Sequence, residues 1–475
     1  MATIKLYNTQ SRSIEEIIPN HLDGVLRIYC CGPTVYNYAH IGNFRTFLLQ
    51  DVLRRLLLAM GYEVRFVRNL TDVDDKTIRG ARGENISLEQ FTEKWINIFR
   101  NDCEELNILA PDVEPKAASH IAEQIAMIEQ LIRKQYAYMT SDGSVYFRLS
   151  SFPRYGQLSG INVEQLATQN ENSAGQTNLA DEYDRDNVHD FALWKAYKEE
   201  DGGIFWESPW GKGRPGWHIE CSAMSVKYLG ETIDIHGGGI DLCFPHHENE
   251  IAQTECVTGK PFVGHWFHSE HLQIEGQKMS KSLGNLFTLA DLKSKGYGVE
   301  AIRYTLISGY YRQALNFTFS GLDAAQSALH KLKTKVRNFL EEDNLFLAQI
   351  VESISKVNTY HYFSAAIEAL KNDLNTPKCL GEMFSILNRT VRGERQFWEE
   401  LYMLCFILGI ERFIFCEKQE VGSSEIPSDI VELGVERWRA KQDKNFAESD
   451  RLRNLLIGRG WRIIDTKDGY RLEKK

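Results

Sequence analysis

Two short segments of this 475-residue chain carry residue types suited to phosphate chemistry. His40-Ile41-Gly42-Asn43 follows an apolar run, residues 25–31, that reads as a buried strand, and it opens an amphipathic stretch, 45–60, that reads as a helix. A helix start attracts anions, because its free backbone N–H groups and the positive end of the dipole face whatever sits there, and a histidine adds a donor. Far downstream, Lys278-Met279-Ser280-Lys281-Ser282 sets two lysines three apart in a stretch ending Leu283-Gly284-Asn285, which reads as a mobile loop. Transfer at an α-phosphate builds negative charge in the transition state, and two ammonium groups arriving there stabilise it where it is largest. His40, Asn43, Lys278 and Lys281 are therefore candidate catalytic residues, with His40 and Lys281 foremost for phosphate contact and Lys278 second.

A second constellation could hold a metal. His246 and Glu250 lie four apart in Pro245-His246-His247-Glu248-Asn249-Glu250, and on a helix they share a face that one ion can reach. Cys31 ends the apolar run, and Cys221 follows Gly216-Trp217-His218-Ile219-Glu220. No Cys-x-x-Cys pair is present, so spacing supports only half a site, and buried core cysteines beside a surface histidine fit the same letters.

Two phosphate-binding fingerprints are excluded. Gly211-x-Gly213-x-x-Gly216 has the letters of a dinucleotide loop, but Pro215 falls where a helix should begin to run and no clear strand precedes it. There is no Gly-x-x-x-x-Gly-Lys segment.

Length implies two to four units with sizeable cores. The longest apolar run, 401–410, is too short to cross a bilayer, and residues 1–10 lack a basic-then-apolar signal pattern, so cytosol is the expected compartment and no membrane partner is expected. Nine cysteines, an odd number with Cys30 and Cys31 adjacent, do not form a disulfide pattern. The net charge of −10 is uneven. Residues 429–475 hold 12 basic and 9 acidic side chains, which leaves −13 for the rest. There Trp438, Trp461 and Tyr470 interleave with Arg437, Arg439, Arg451, Arg453, Arg459, Arg462 and Arg471, a mix that could touch phosphates and stack on unpaired bases, or serve a small lobe with a solvated charged face.

The paired motifs resemble the two ATP-binding signatures of class I aminoacyl-tRNA synthetases, with Asn43 where many members carry a second histidine. Asn43 keeps a neutral hydrogen-bond donor but no protonatable imidazole. More specific runs, Cys31-Gly32-Pro33-Thr34-Val35-Tyr36, Arg68-Asn69-Leu70-Thr71-Asp72-Val73-Asp74-Asp75-Lys76, the stretch 206–221 and His236-Gly237-Gly238-Gly239 through Glu250, are similar to the cysteinyl-tRNA synthetase family. The likeness continues more loosely through Asn372-Asp373-Leu374-Asn375-Thr376-Pro377 into the tail.

The resemblance implies that Cys31, Cys221, His246 and Glu250 hold one zinc ion that binds the thiolate of the amino acid. It also implies that Thr71, Trp217 and His236 line the amino-acid pocket, that Gly238 and Asp241 join His40 and Lys281 around ATP, and that magnesium accompanies the nucleotide. The expected partners are cysteine, ATP and tRNA(Cys), and the expected state is a monomer. The implied activity is a cysteine–tRNA ligase working through cysteinyl-adenylate. Two alternatives are a paralogous ligase that acylates an amino sugar and a catalytically silent RNA- or zinc-binding relative. No separate editing segment is legible.

The expected fold is α/β. Residues 1–109 and 217–291 form two halves of a doubly wound, Rossmann-like parallel sheet with the site at the carboxyl ends of its strands. An insertion, 110–216, separates them and contains a polar stretch, 165–187, read as a mobile surface loop. A stem and helical bundle, 292–415, a linker, 416–428, and a basic anticodon-binding lobe of small α/β type, 429–475, complete the chain.

Overall fold

The computed structural model describes residues 3–161, 177–178, 189–280, 283–342, 360–389, 394–415, 428–442, 445–465 and 470–474. Two compact units are present, Met1–Phe415 and Cys416–Lys475.

Seven elements of the first unit position the site. Strand β1 is Leu26–Cys30, helix α1 is Ile41–Ala59 and strand β2 is Val64–Arg68. After the insertion come helix α2, Trp217–Leu229, strand β3, Ile233–Gly239, helix α3, His246–Thr258, and strand β4, Val263–Ser269. The sheet runs β4-β3-β1-β2 with every pair parallel, two strands from each half of the chain. All seven residues of β3 are buried, as expected of a strand covered on both faces.

The helix expected over 45–60 begins earlier, at Ile41, because the motif caps it. The His40 ring accepts the Asn43 backbone N–H (3.2 Å), and the Asn43 side chain accepts the His40 backbone N–H (3.1 Å), a capping box built from residues other than the usual Ser/Thr and Glu. Helix α1 is buried almost all round, including Arg45, Asp51 and Arg55.

Asp51 lies between Arg55 (2.8 Å) and Arg303 (2.6 Å), and the two guanidinium groups also donate to the carbonyls of Asn107, Phe406 and Leu408. This network ties α1 to helices Val299–Ile307 and Arg395–Leu408 within one large core. Burial raises the Asp51 carboxyl, yet Arg55 and Arg303 hold it below the usual carboxylate range. Asp51→Asn leaves two buried cations with a neutral partner, so it is expected to cost about 3–5 kcal/mol, read as a lower urea midpoint. Because the folded pKa is depressed, this contribution is fully present above about pH 4 and is lost as pH falls through the folded value, so the wild-type advantage should shrink in acid.

Within the insertion, Ala137–Met139, Val145–Phe147, Asp190–Ala196 and Gly213–Pro215 form an antiparallel sheet. Gly213–Pro215 pairs there and so forms no part of a nucleotide loop. Most of 165–187 lies outside the described residues, but Thr177–Asn178 corrects the loop reading locally, since it pairs with Asp190 and Phe191 as a short parallel strand. Helix Leu289–Ser294 runs across the expected boundary at 291/292. Most of the expected linker, 416–427, lies outside the described residues, and Ser428 already begins a helix.

The second unit contains helices Ser428–Gln442 and Phe446–Gly458 and an antiparallel hairpin of Trp461–Asp465 with Tyr470–Lys474. Trp461 is buried with Ile430, Leu456 and Ile463, which corrects its reading as a base-stacking residue. Trp438 instead packs against Tyr470, and Arg437 is buried as well.

Candidate active site and metal centre

A cleft of about 680 Å³ opens at the carboxyl ends of β1, β3 and β4. His40, Asn43 and Lys278 line it together with Cys31, Trp217 and Asp241. The two phosphate motifs therefore meet although more than 230 residues of chain separate them. Gly42 permits the meeting: a Cβ there would lie 2.5 Å from Met279 Cε and 3.0 Å from His40 Nδ1. The junction is fixed by the Ile41 N–H, which donates to the Phe287 carbonyl (2.9 Å), and by the Ser280 N–H on the Asn285 side chain (2.9 Å). Lys281 and Ser282 lie outside the described residues.

The capping box leaves Nε2 as the His40 nitrogen not engaged in the cap. Asn43 uses its side-chain oxygen to hold the helix start. Asp241 is exposed, on the short helix Ile240–Cys243, and faces Gly239, where an added Cβ would lie 2.4 Å from its carboxylate. A Cβ on Gly238, expected at the ribose, would lie 2.7 Å from His247 Cε1, and the adjacent Gly239 lines the cleft.

Behind the cleft, Cys31, Cys221, His246 and Glu250 are all buried, with one ligand atom from each lying within 4.8 Å of the others. The two sulfurs are 3.9 Å apart, Cys31 Sγ is 3.7 Å from Glu250 Oε1, and His246 Nε2 is 3.0 Å from the same oxygen. A tetrahedral ion with bonds of roughly 2.0–2.3 Å holds its ligands under about 4 Å apart, so only small adjustments are needed. His246 Nε2 is buried with no aligned hydrogen-bond partner, and its Nδ1 is 2.9 Å from His218 Nδ1, so the open nitrogen points at the cluster. A second set, Cys31, His236, His247 and Glu250, meets the same distance limit and shares two members with the first.

The electrostatics suit a cation. Burial would raise the Cys221 thiol, but hydrogen bonding from Cys31 and the nearby His246 bring it down to about 6. Burial also opposes ionisation of Glu250, yet His236 and His246 hold it at about 2. Burial disfavours a charge on His246, but Glu250 and Cys221 raise it to about 10. Two anions thus surround one positive charge, an arrangement a divalent ion satisfies more fully. His247 and His268 are pushed down, first by burial and then by neighbouring histidines, His268 to about 3. They hydrogen-bond as neutral rings from Cys31 through His247 and His268 to Thr9.

Of the residues expected in the amino-acid pocket, only Trp217 lines the cleft directly, with its ring 4.3 Å from that of His246. Thr71 is buried and donates to Glu220 (3.1 Å), and His236 Nε2 lies 2.9 Å from Glu250 Oε2 while its ring stacks on Trp266. Burial, with Cys221, Asp72 and Asp74 nearby, pushes Glu220 well above the usual carboxyl range.

Sequence reading missed Arg45, Glu220, His247 and His268. The buried Arg45 guanidinium donates to the carbonyls of Glu270, His271 (2.8 Å), Tyr310 (3.2 Å) and Gln313 (2.8 Å), fixing the cleft wall that includes Glu270 and His271. An arginine one turn into the helix, beside the apolar Phe44, Phe47, Leu48 and Leu49, was the available signal for it. The histidine-rich runs 246–247 and 265–268 were the signal for the two histidines.

The family model for the class I (C) tRNA synthetase catalytic domain matches residues 18–327. A cysteine–tRNA ligase of Opitutus terrae is 49% identical over 472 residues, covering 99% of each chain. Cysteine–tRNA ligases of Chlamydia muridarum and Brachyspira hyodysenteriae are 46% and 43% identical, covering 99% and 100% of each chain. Among solved structures, methionyl-tRNA synthetase of Mycobacterium tuberculosis in complex with methionyl-adenylate is 14% identical, covers 86% of this chain and 94% of its own, and superposes with a TM-score of 0.53. LeuRS of Agrobacterium radiobacter, in a ternary complex with tRNA and LeuAMS, gives 0.57 at 11% identity, covering 84% and 85%. These two likenesses carry the fold: a parallel α/β sheet followed by helices. None of the described helices is long and apolar enough to cross a membrane. The full-length identities and the matching catalytic-domain model together place this chain in the cysteine–tRNA ligase family of class I tRNA synthetases.

Proposed function

We propose that this chain joins cysteine to tRNA(Cys) at the expense of ATP. The amino-acid carboxylate attacks the α-phosphorus, the bond to pyrophosphate breaks, and cysteinyl-adenylate forms. A terminal ribose hydroxyl of the tRNA then attacks the acyl carbon and AMP leaves. The observation that carries this reading is the shared cleft: Cys31 and Trp217, which belong to the buried metal-ligating cluster and its cover, line the same space as His40 and Lys278.

Cys31, Cys221, His246 and Glu250 would hold zinc, which when bound supplies a soft Lewis acid that prefers a thiolate to a hydroxyl. His236, its ring stacked on Trp266, braces Glu250, and Trp217 covers His246 from the cleft side. His40 Nε2 and the lysines 278 and 281 would meet the phosphates, with magnesium arriving on the nucleotide. The helix start keeps its cap while doing so, because the cap uses only Nδ1 of His40 and the side-chain oxygen of Asn43.

The basic second unit is the proposed tRNA contact. A chain ending at Phe415 is expected to keep cysteine-dependent ATP–pyrophosphate exchange and to lose most charging of tRNA(Cys), with the full chain's tRNA affinity falling more steeply with salt than the shortened one's. Charging of tRNA and of an amino sugar by both forms at two salt concentrations tests this. Unchanged tRNA charging by the shortened chain would make the second unit structural, and acylation of the sugar alone would replace the reading.

A further inference from the structure

The run 372–377 plays no part in the chemistry above, and it forms the turn between helices Ser364–Lys371 and Thr376–Arg389. Asp373 and Leu374 lie in the left-handed region there, with φ of 64° and 45°, a conformation that costs energy in a leucine and persists only where the surroundings impose it. The Asp373 carboxylate anchors the turn. Its side chain is 3% exposed and accepts from five donors: the Tyr7 N–H (2.8 Å), the Tyr311 hydroxyl (2.5 Å), the Tyr310 hydroxyl, and Nε (2.8 Å) and Nη2 (2.6 Å) of Arg312.

Four of those five donors belong to residues 310–312, and that segment leads to the phosphate side of the cleft. The Tyr311 carbonyl accepts the Glu270 N–H (2.8 Å), and the Tyr311 ring packs on Phe267, with centroids 4.8 Å apart. Arg45 grips the same segment from α1 through the carbonyls of Tyr310 and Gln313. Just beyond it, strand Leu315–Phe317 pairs with Leu272–Ile274, which pairs in turn with Gln277–Lys278, so that Gln273 stands opposite Lys278. Lys278 is exposed, so its place in the cleft is set by the strand that carries it rather than by burial of its side chain.

We propose that Asp373 is a positioning residue for activation: through Tyr310, Tyr311 and Arg312 it fixes the three-stranded ladder that carries Lys278 into the cleft. This rests on the functional reading above and adds what holds the lysine motif in register. A carboxylate suits the task because both of its oxygens accept, whereas a carboxamide of the same shape accepts with one oxygen and turns an NH₂ toward the remaining donors.

The test separates positioning of Lys278 from general support of the fold. In the full-length protein, Asp373→Asn is expected to slow adenylate formation about tenfold, as for the loss of one hydrogen bond to a charged group. Asparagine tolerates the left-handed turn, so the backbone is kept. Bound zinc, the Michaelis constant for cysteine and transfer from preformed adenylate to tRNA(Cys) should each stay within about twofold of the wild type. Introduced beside Lys278→Ala, the same change should cost less than about twofold more, because both substitutions act through one ammonium group. Tyr311→Phe removes a single hydroxyl and keeps the ring, so it should give a loss of the same kind of about two- to threefold, and it carries the test if Asp373→Asn does not fold. Adenylate formation at the wild-type rate in the folded variants would overturn the proposal. So would a further loss of about tenfold beside Lys278→Ala, or losses of zinc, cysteine affinity and transfer in step with activation, either of which would leave Asp373 a structural role alone. Absence of cysteine-dependent adenylate formation in the wild type would overturn the functional reading itself.

Discussion

Cys221→Ser is expected to empty the metal site and raise the Michaelis constant for cysteine by about a hundredfold, while that for ATP stays within about threefold. The asymmetry follows from the geometry. Cys221 Sγ faces Cys31, His246 and Glu250 behind the cleft, whereas the phosphate motifs line its front. A serine hydroxyl is a harder and far less acidic ligand than a thiol held near 6 by its neighbours. Discrimination against serine as a substrate should collapse in the same variant. Serine and cysteine differ by one atom, and pocket shape alone rejects such near-isosteres by only about a hundredfold, whereas a preference of about 10⁴ needs roughly 5.5 kcal/mol. Bound zinc and exchange kinetics are the readouts. A variant that kept a full equivalent of metal and normal cysteine affinity would show that the ligand set is wrong.

Lys281→Ala is expected to slow adenylate formation by about 10²–10³ with little change in cysteine affinity, because its charge is needed mainly when the α-phosphate is most negative. The preceding Lys278 is exposed and lines the cleft, so Lys278→Ala should give a smaller loss of the same kind. Rapid-quench measurement of adenylate formation, beside transfer from preformed adenylate, checks the assignment. Equal losses in the two steps would count against a charge needed mainly in activation.

What the sequence made legible depended on the range of the interaction. His246 and Glu250 are four apart, and helix α3 brings them together by local geometry alone. Cys31 and Cys221 meet only because β1 and α2 pack in one core, which no spacing rule encodes, and it was resemblance that joined them. The same limit hid the Arg303 side of the Asp51–Arg55–Arg303 network and the Arg45 clamp, whose partners lie more than 200 residues away. The early start of α1 was a different omission: a histidine and an asparagine cap this helix through the same reciprocal bonds that Ser/Thr and Glu usually make. Trp461 shows composition misleading where pattern would have helped. Trp461 and Ile463 are two apart in a strand and share a face, so alternation pointed to a core that the interleaved arginines obscured.

The central claim is that four buried side chains present a metal to the thiol of the amino acid. X-ray absorption at the zinc edge of the full-length protein, with and without cysteine, tests it most directly. Two sulfur ligands, one nitrogen and one oxygen are expected from Cys31, Cys221, His246 and Glu250, rising to three sulfurs when cysteine is added and staying at two with serine. A sulfur count that did not change with cysteine, or a metal with no sulfur neighbours, would contradict the account.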